Sequence, residues 1–205
     1  MTDFTSNFMD RYQHPNIVVS MDANLEFGAP YIQNYFEDQI QKGTEFRAGE
    51  TAQIGWMIIM LTADAYGDLE IWEPRFGTAP IEWVRGVSNT YRQLIVQKTV
   101  SEQIGVEPSF PSLRQSAVVS PDFFPGQGFR MFRAASEGAD SGWVFTANSD
   151  DREGGKVCSL FEIGGKRPDV IPFLALPVGA SVVCIREEVE IRYGEKQLIL
   201  VQTNF

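Results

Sequence analysis

The chain is poor in the residues that most reaction centres require, having one histidine, His14, and two cysteines, Cys158 and Cys184. A single imidazole excludes most Ser-His-Asp triads, facial iron triads and histidine-bound catalytic zinc sites. His14 lies in a polar lead-in over residues 1–15 that reads as loose, so a surface position is expected for it. The cysteines are too far apart for a CxxC redox or zinc-knuckle motif, and their apolar neighbours read them as small buried residues. Long apolar runs are also missing: the longest, Ile54 to Leu61, is too short to cross a bilayer, and Met1 to Arg11 has no cationic-then-apolar leader pattern. No membrane association and a reducing cytoplasm are therefore expected. Basic charge is in deficit as well, with 17 Lys and Arg against 27 Asp and Glu and a net charge of -10. That balance argues against nucleic acid, whose binding leans on clustered cations. It favours a basic partner, although such charge also serves simply to keep a protein dispersed.

Hydrophobic residues at 43%, with 15 Phe and 4 Trp, supply enough apolar surface for a packed core. Apolar residues from Tyr31 to Ile40 recur at helical spacing behind Pro30 and stop at Gly43, which predicts one amphipathic helix. The run Ala52–Thr62 followed by Asp64-Ala65-Tyr66-Gly67-Asp68 predicts a hairpin with a central strand buried on both faces. Ile81 to Ile104 reads as the longest helix. Val106 to Pro125 carries four prolines and reads as a connector, with Ala117-Val118-Val119 as a candidate strand inside it. Beyond it, strands are expected at Phe129–Arg133, Trp143–Phe145, Ala180–Ile185, Val189–Tyr193 and Gln197–Gln202, with a helical turn at Val170–Leu174 and a last hairpin turn at Tyr193-Gly194-Glu195-Lys196. The expected fold is α+β, mostly antiparallel sheets with one long helix and several short ones, in two subdomains over residues 1–112 and 113–205.

Tests for chemistry end without a centre. The acidic stretch Asn148 to Gly155 fails as a calcium loop: Arg152 takes a ligand position, Glu153 replaces the required glycine, and Ser159 stands where the bidentate glutamate belongs. Gly126-Gln127-Gly128 and Gly164-Gly165-Lys166-Arg167 lack phosphate-loop spacing and read as turns. No serine sits in a nucleophile elbow. Glu187-Glu188 are adjacent, so on a strand they face opposite ways and cannot share one reacting bond; a charged strand end is the plainer reading. No catalytic, cofactor-binding or metal-binding residue is expected.

Asp140-Ser141-Gly142-Trp143-Val144-Phe145, an acidic loop, Pro168-Asp169-Val170-Ile171-Pro172-Phe173-Leu174 and Pro177-Val178-Gly179-Ala180-Ser181 together resemble a bacterial family, the thirty-third class of polymorphic-toxin immunity proteins, first described as a domain of unknown function. The resemblance covers residues 129–186. Leu69-Glu70-Ile71-Trp72-Glu73-Pro74 and Pro80-Ile81-Glu82-Trp83-Val84 resemble a companion region of longer members. The chain departs from the pattern where Ala147-Asn148-Ser149 intervene before Asp150-Asp151. The resemblance implies an α+β protein without cofactor that protects its producer by binding a secreted toxin in the cytoplasm, with a basic toxin domain as the partner its charge would suit. Candidate partner-binding residues are Asp140, Trp143, Asp150, Asp151 and Glu153, where Trp143 reads either as a core anchor or as an exposed hot spot. A non-toxin adaptor is the alternative function, an enzyme working through carboxylates alone is a third, and the assembly is a monomer or a homodimer through a free strand edge.

Overall fold

Alternating apolar and polar residues, punctuated by glycine turns, build thirteen strands and four α-helices among the described residues, which in this computed structural model are 1–147 and 155–201. The fold is α+β with two mostly antiparallel sheets, as expected. The chain divides into two compact units, Met1–Leu94 and Ile95–Phe205, and the division falls inside a helix.

In the first unit the strands are β1 (Thr2–Thr5), β2 (Ile17–Met21), β3 (Thr51–Ile54), β4 (Met57–Ala63), β5 (Leu69–Arg75) and β6 (Glu82–Arg85), ordered β1-β2-β5-β4-β3. β2 runs parallel to the first half of β5, and β6 pairs antiparallel with its second half. Every residue of β2 is buried, as befits a central strand. The helix α2 (Ala29–Gln41) follows the predicted periodicity and buries Ile32 and Phe36.

Four expectations need correction here. The lead-in is ordered: Thr2 to Thr5 pair with β2, and Phe8 is buried in the short helix α1 (Phe8–Tyr12). His14 is only 5% exposed; its Nε2 accepts the Phe46 N–H at 2.9 Å and its Nδ1 donates to the Pro15 carbonyl at 2.7 Å, so both ring nitrogens are committed to backbone. The run 52–62 is two strands, because Gly55 adopts φ 60° and turns the chain between β3 and β4. The helix expected from Ile81 starts later, as α3 (Ser88–Ile104): residues 82–85 pair with β5 and Gly86, at φ 113°, breaks the periodicity.

The start of α3 is held by a buried carboxylate. Glu73, 7% exposed, accepts the backbone N–H groups of Asn89 at 3.0 Å and Thr90 at 2.6 Å and the Thr90 hydroxyl at 2.8 Å. These donors are the unpaired groups at a helix N-terminus, where negative charge is favoured. Burial nevertheless outweighs these bonds and pushes the Glu73 carboxyl above its ordinary value of 4.5. A raised folded pKa means that its contribution is fully present below pH 4.5 and is lost as pH rises through the folded value. Urea unfolding of wild type and Glu73→Gln across pH checks this: the stability difference, wild type minus variant, falls with rising pH over that window. A flat or rising difference contradicts it.

The second unit carries β7 (Ser116–Val119), β8 (Phe129–Arg133), β9 (Asp140–Thr146), β10 (Lys156–Ser159), β11 (Ser181–Ile185), β12 (Glu188–Tyr193) and β13 (Lys196–Val201) in the order β10-β7-β9-β8-β11-β12-β13. The sheet is mostly antiparallel, as expected, with β7 and β9 as its one parallel pair among the described residues. Neither β10 nor the helix α4 (Leu160–Lys166), capped where the Ser159 hydroxyl accepts the Glu162 N–H, is expected from the sequence. The turn Pro168–Phe173 forms near its expected place. One sheet face buries Phe129, Met131, Trp143, Phe145, Val182, Cys184, Val189 and Ile191. Phe129 meets Phe173, and Phe145 meets Phe123, with ring centroids 6.1 and 5.3 Å apart. Cys184 is buried as expected, whereas Cys158 is half-buried.

Candidate interaction surface

Side chains alternate across a strand, so the residues between those core positions share the opposite face of the second sheet. The register carries one row from Val157 through Val118, Val144 and Phe132 to Ser181 and Arg192. A neighbouring row joins Arg130, Val183, Glu190 and Ile199, and a third joins Ile185, Glu188 and Val201. Val157, Ile185, Ile199 and Val201 are 74%, 52%, 54% and 62% exposed; Val157 stands on the edge strand β10, whereas Ile185, Ile199 and Val201 gather at the β11–β13 end. At the β11–β13 end, Val183, Ile185, Glu187, Glu188, Glu190 and Val201, with Arg186, surround a concavity of about 660 Å³.

The hairpin between β11 and β12 shapes that concavity. Ile185 pairs with Glu188, leaving Arg186 and Glu187 as a two-residue turn, and Arg186 takes φ 59°, a conformation that an L side chain adopts at a cost of about 1 kcal/mol. The turn places Glu187 and Glu188 at the tip. Glu190, further along β12, is partly neutralised: one of its carboxylate oxygens accepts Arg192 Nε at 2.6 Å and Gln197 Nε2 at 2.5 Å. The surface thus offers aliphatic side chains inside a rim of three glutamates and Arg186, acidic on balance although Glu190 is paired with Arg192, a composition suited to a segment carrying both methyl groups and cations.

Asp140 is exposed at the start of β9, and its Oδ1 accepts the Gly142 N–H at 2.9 Å, so it also shapes the local chain. Trp143 is fully buried and its Nε1 donates to the Leu174 carbonyl at 3.1 Å; of its two readings the structure has the core anchor, because its strand alternation places it beside Phe145 on the inner face. Asp150, Asp151 and Glu153 lie outside the described residues. Glu187 and Glu188 do project as a charged strand end, but the sequence alone does not mark them as partner-binding. The signal that could have found them is the alternation Glu188-Val189-Glu190-Ile191, acidic on one face and buried on the other.

The sequence motif around Trp143 is architectural. Arg133 is 7% exposed on the inner face and its guanidinium lies 5.7 Å from the Trp143 ring centre. Nε donates to the Ser141 carbonyl at 3.2 Å, and Nη1 donates to the carbonyls of Ser109 at 2.5 Å and Leu176 at 2.8 Å. Burial draws its pKa below the ordinary arginine value. Gly142 stands at φ 77° directly against the Ala134 carbonyl. Among the described residues no cluster of His, Cys, Asp and Glu could hold a metal ion, and no helix is long and apolar enough to cross a membrane.

Residues 96–193 match the family model of the Imm33-like domain, a stretch that lies within the second unit and includes the resemblance at 129–186. No curated protein and no solved structure matches the chain. The matched segment carries β7 to β12, hence the core motif as well as the hairpin tip with Glu187 and Glu188.

Proposed function

We propose that this protein is an immunity-type binding protein that neutralises a cognate toxin in the cytoplasm by direct contact, with no catalysis of its own. The observation that carries this reading is the exposed aliphatic surface with its acidic rim, whose three glutamates and Ile185 lie on the segment that matches an immunity-type domain while Ile199 and Val201 follow just after it. An inhibitor needs shape, exposed apolar area and complementary charge rather than a reactive group, and the surface offers those three. The acidic excess supports a basic partner. It is strongest in the first unit, with thirteen acidic against six basic residues, so long-range attraction would come from the whole chain and the final contact from the second sheet.

Charge reversal at the hairpin tip tests this reading. Glu187→Lys with Glu188→Lys slows association with a basic toxin by about tenfold at low salt, and the deficit shrinks as ionic strength approaches about 1 M, where screening acts over only a few ångströms. Surface plasmon resonance at several salt concentrations measures it. Equal association rates for both proteins at every salt concentration would remove the acidic rim from the interface.

A further inference from the structure

We infer that the outer edge of β13 is a docking edge that accepts an extended, basic and aliphatic segment of the protein partner as an additional strand. The inference rests on the binding reading above and specifies its mode. β13 ends the seven-stranded sheet among the described residues. Its partner β12 is joined to it by the two-residue turn Gly194-Glu195, with Tyr193 opposite Lys196. In a two-residue hairpin the flanking pair exchanges hydrogen bonds, and alternate pairs do so thereafter. Lys196, Leu198 and Leu200 are therefore bonded to β12, and the N–H and C=O groups of Gln197, Ile199 and Val201 point away from the sheet.

Natural sheets guard such edges with charge, most often a lysine, with proline or with a bulge. β13 pairs with β12 through all six residues without a register shift, and the stretch from Gln197 to Val201 contains neither charge nor proline. Its one lysine, Lys196, is tied down: Nζ donates to the Gly105 carbonyl at the end of α3. The guard is spent on a tertiary contact, and among the described residues no strand pairs with the edge beyond it.

Charge decides the occupant. A second copy would bring its own Glu187, Glu188 and Glu190 to the same edge, on a chain of net charge -10. A partner strand with lysine or arginine at alternate positions places those cations on the face of Glu188, where Glu190 already shares its charge with Arg192, and sets aliphatic residues beside the half-buried Leu198 and Leu200.

The test uses the full chain and two synthetic decapeptides, one alternating lysine with valine and one alternating glutamate with valine. Amide hydrogen exchange read by NMR should show the lysine peptide slowing exchange at Gln197, Ile199 and Val201 by about tenfold, while the glutamate peptide has no effect. Ile199→Pro removes one outward donor at a position where an edge strand tolerates proline, and it should weaken peptide binding about fivefold. Ile199→Lys restores an edge guard and should weaken it as well, which keeps the test open if the proline variant fails to fold. Absence of protection on β13, or protection of the same amides by self-association without peptide, overturns the inference. A toxic partner that binds wild type and both Ile199 variants equally would leave the binding reading in place and remove only the edge; absence of any toxic partner would remove the reading itself.

Discussion

Gly142→Ala destabilises the protein by about 3 kcal/mol, among the largest losses expected from one added methyl group. Two costs add. The residue sits at φ 77°, where an L side chain is strained by about 1 kcal/mol. An alanine Cβ would also stand 2.1 Å from the Ala134 carbonyl oxygen and 3.1 Å from its carbon, and backbone, unlike the far end of a flexible side chain, cannot swing aside. That backbone is itself fixed, since Ala134 donates its N–H to the Gly142 carbonyl at 2.9 Å. Urea unfolding should show a lower midpoint with an unchanged slope. A loss under about 1 kcal/mol would mean that residues 134–136 shift without cost, and the close approach would then not explain the glycine.

Arg133→Met is expected to cost about 3 kcal/mol, close to the loss from emptying a core position, although methionine keeps most of the buried stem. A buried ion pair can often be replaced by apolar residues without loss, because both charges leave together. Arg133 differs. Its donors go to the three backbone carbonyls of Ser109, Ser141 and Leu176, which no substitution removes, so each loses this donor, those of Ser141 and Leu176 in a buried setting. Relief of the guanidinium's own burial cost offsets part of this, which keeps the figure near about 3 rather than about 5 kcal/mol. Arg133→Lys should recover less than half of the loss, because one ammonium cannot reproduce a planar fork that reaches three segments. Stability equal to wild type in Arg133→Met would show that those carbonyls find water instead.

These two residues indicate where sequence reading reaches its limit. Gly142 and Trp143 are visible as a motif, yet the reason for the glycine is the Ala134 carbonyl, a contact set by the β8–β9 pairing. Arg133 is legible in principle: in Phe129-Arg130-Met131-Phe132-Arg133 the period of two assigns Arg133 to the face of Phe129 and Met131. Local signals suffice for α2, the strands near the C-terminus and the turn at Tyr193–Lys196, because these depend on spacing and turn residues close in sequence. Non-local pairing hides the rest. The run 52–62 looks alike as one long strand or two short ones, and only Gly55 separates them. Residues 82–87 carry Val84 and Val87 at a spacing that fits a helix, and pairing with β5 overrides it. His14 is buried by an N–H from Phe46, a partner that no local pattern announces. The interaction surface is half legible: Glu187 and Glu188 stand out as charge, but the aliphatic rows beside them follow from a seven-strand register.

Whether this chain silences a toxin by holding it is measured most directly by the growth of bacteria producing the partner captured from the protein's own cells, with and without co-production of this chain. The partner alone is expected to arrest growth, and wild-type protein to restore it. The Glu187→Lys, Glu188→Lys variant should restore it less well at equal protein level. A captured partner whose production leaves growth unchanged, or a toxic one that wild-type protein fails to suppress, would contradict neutralisation by binding.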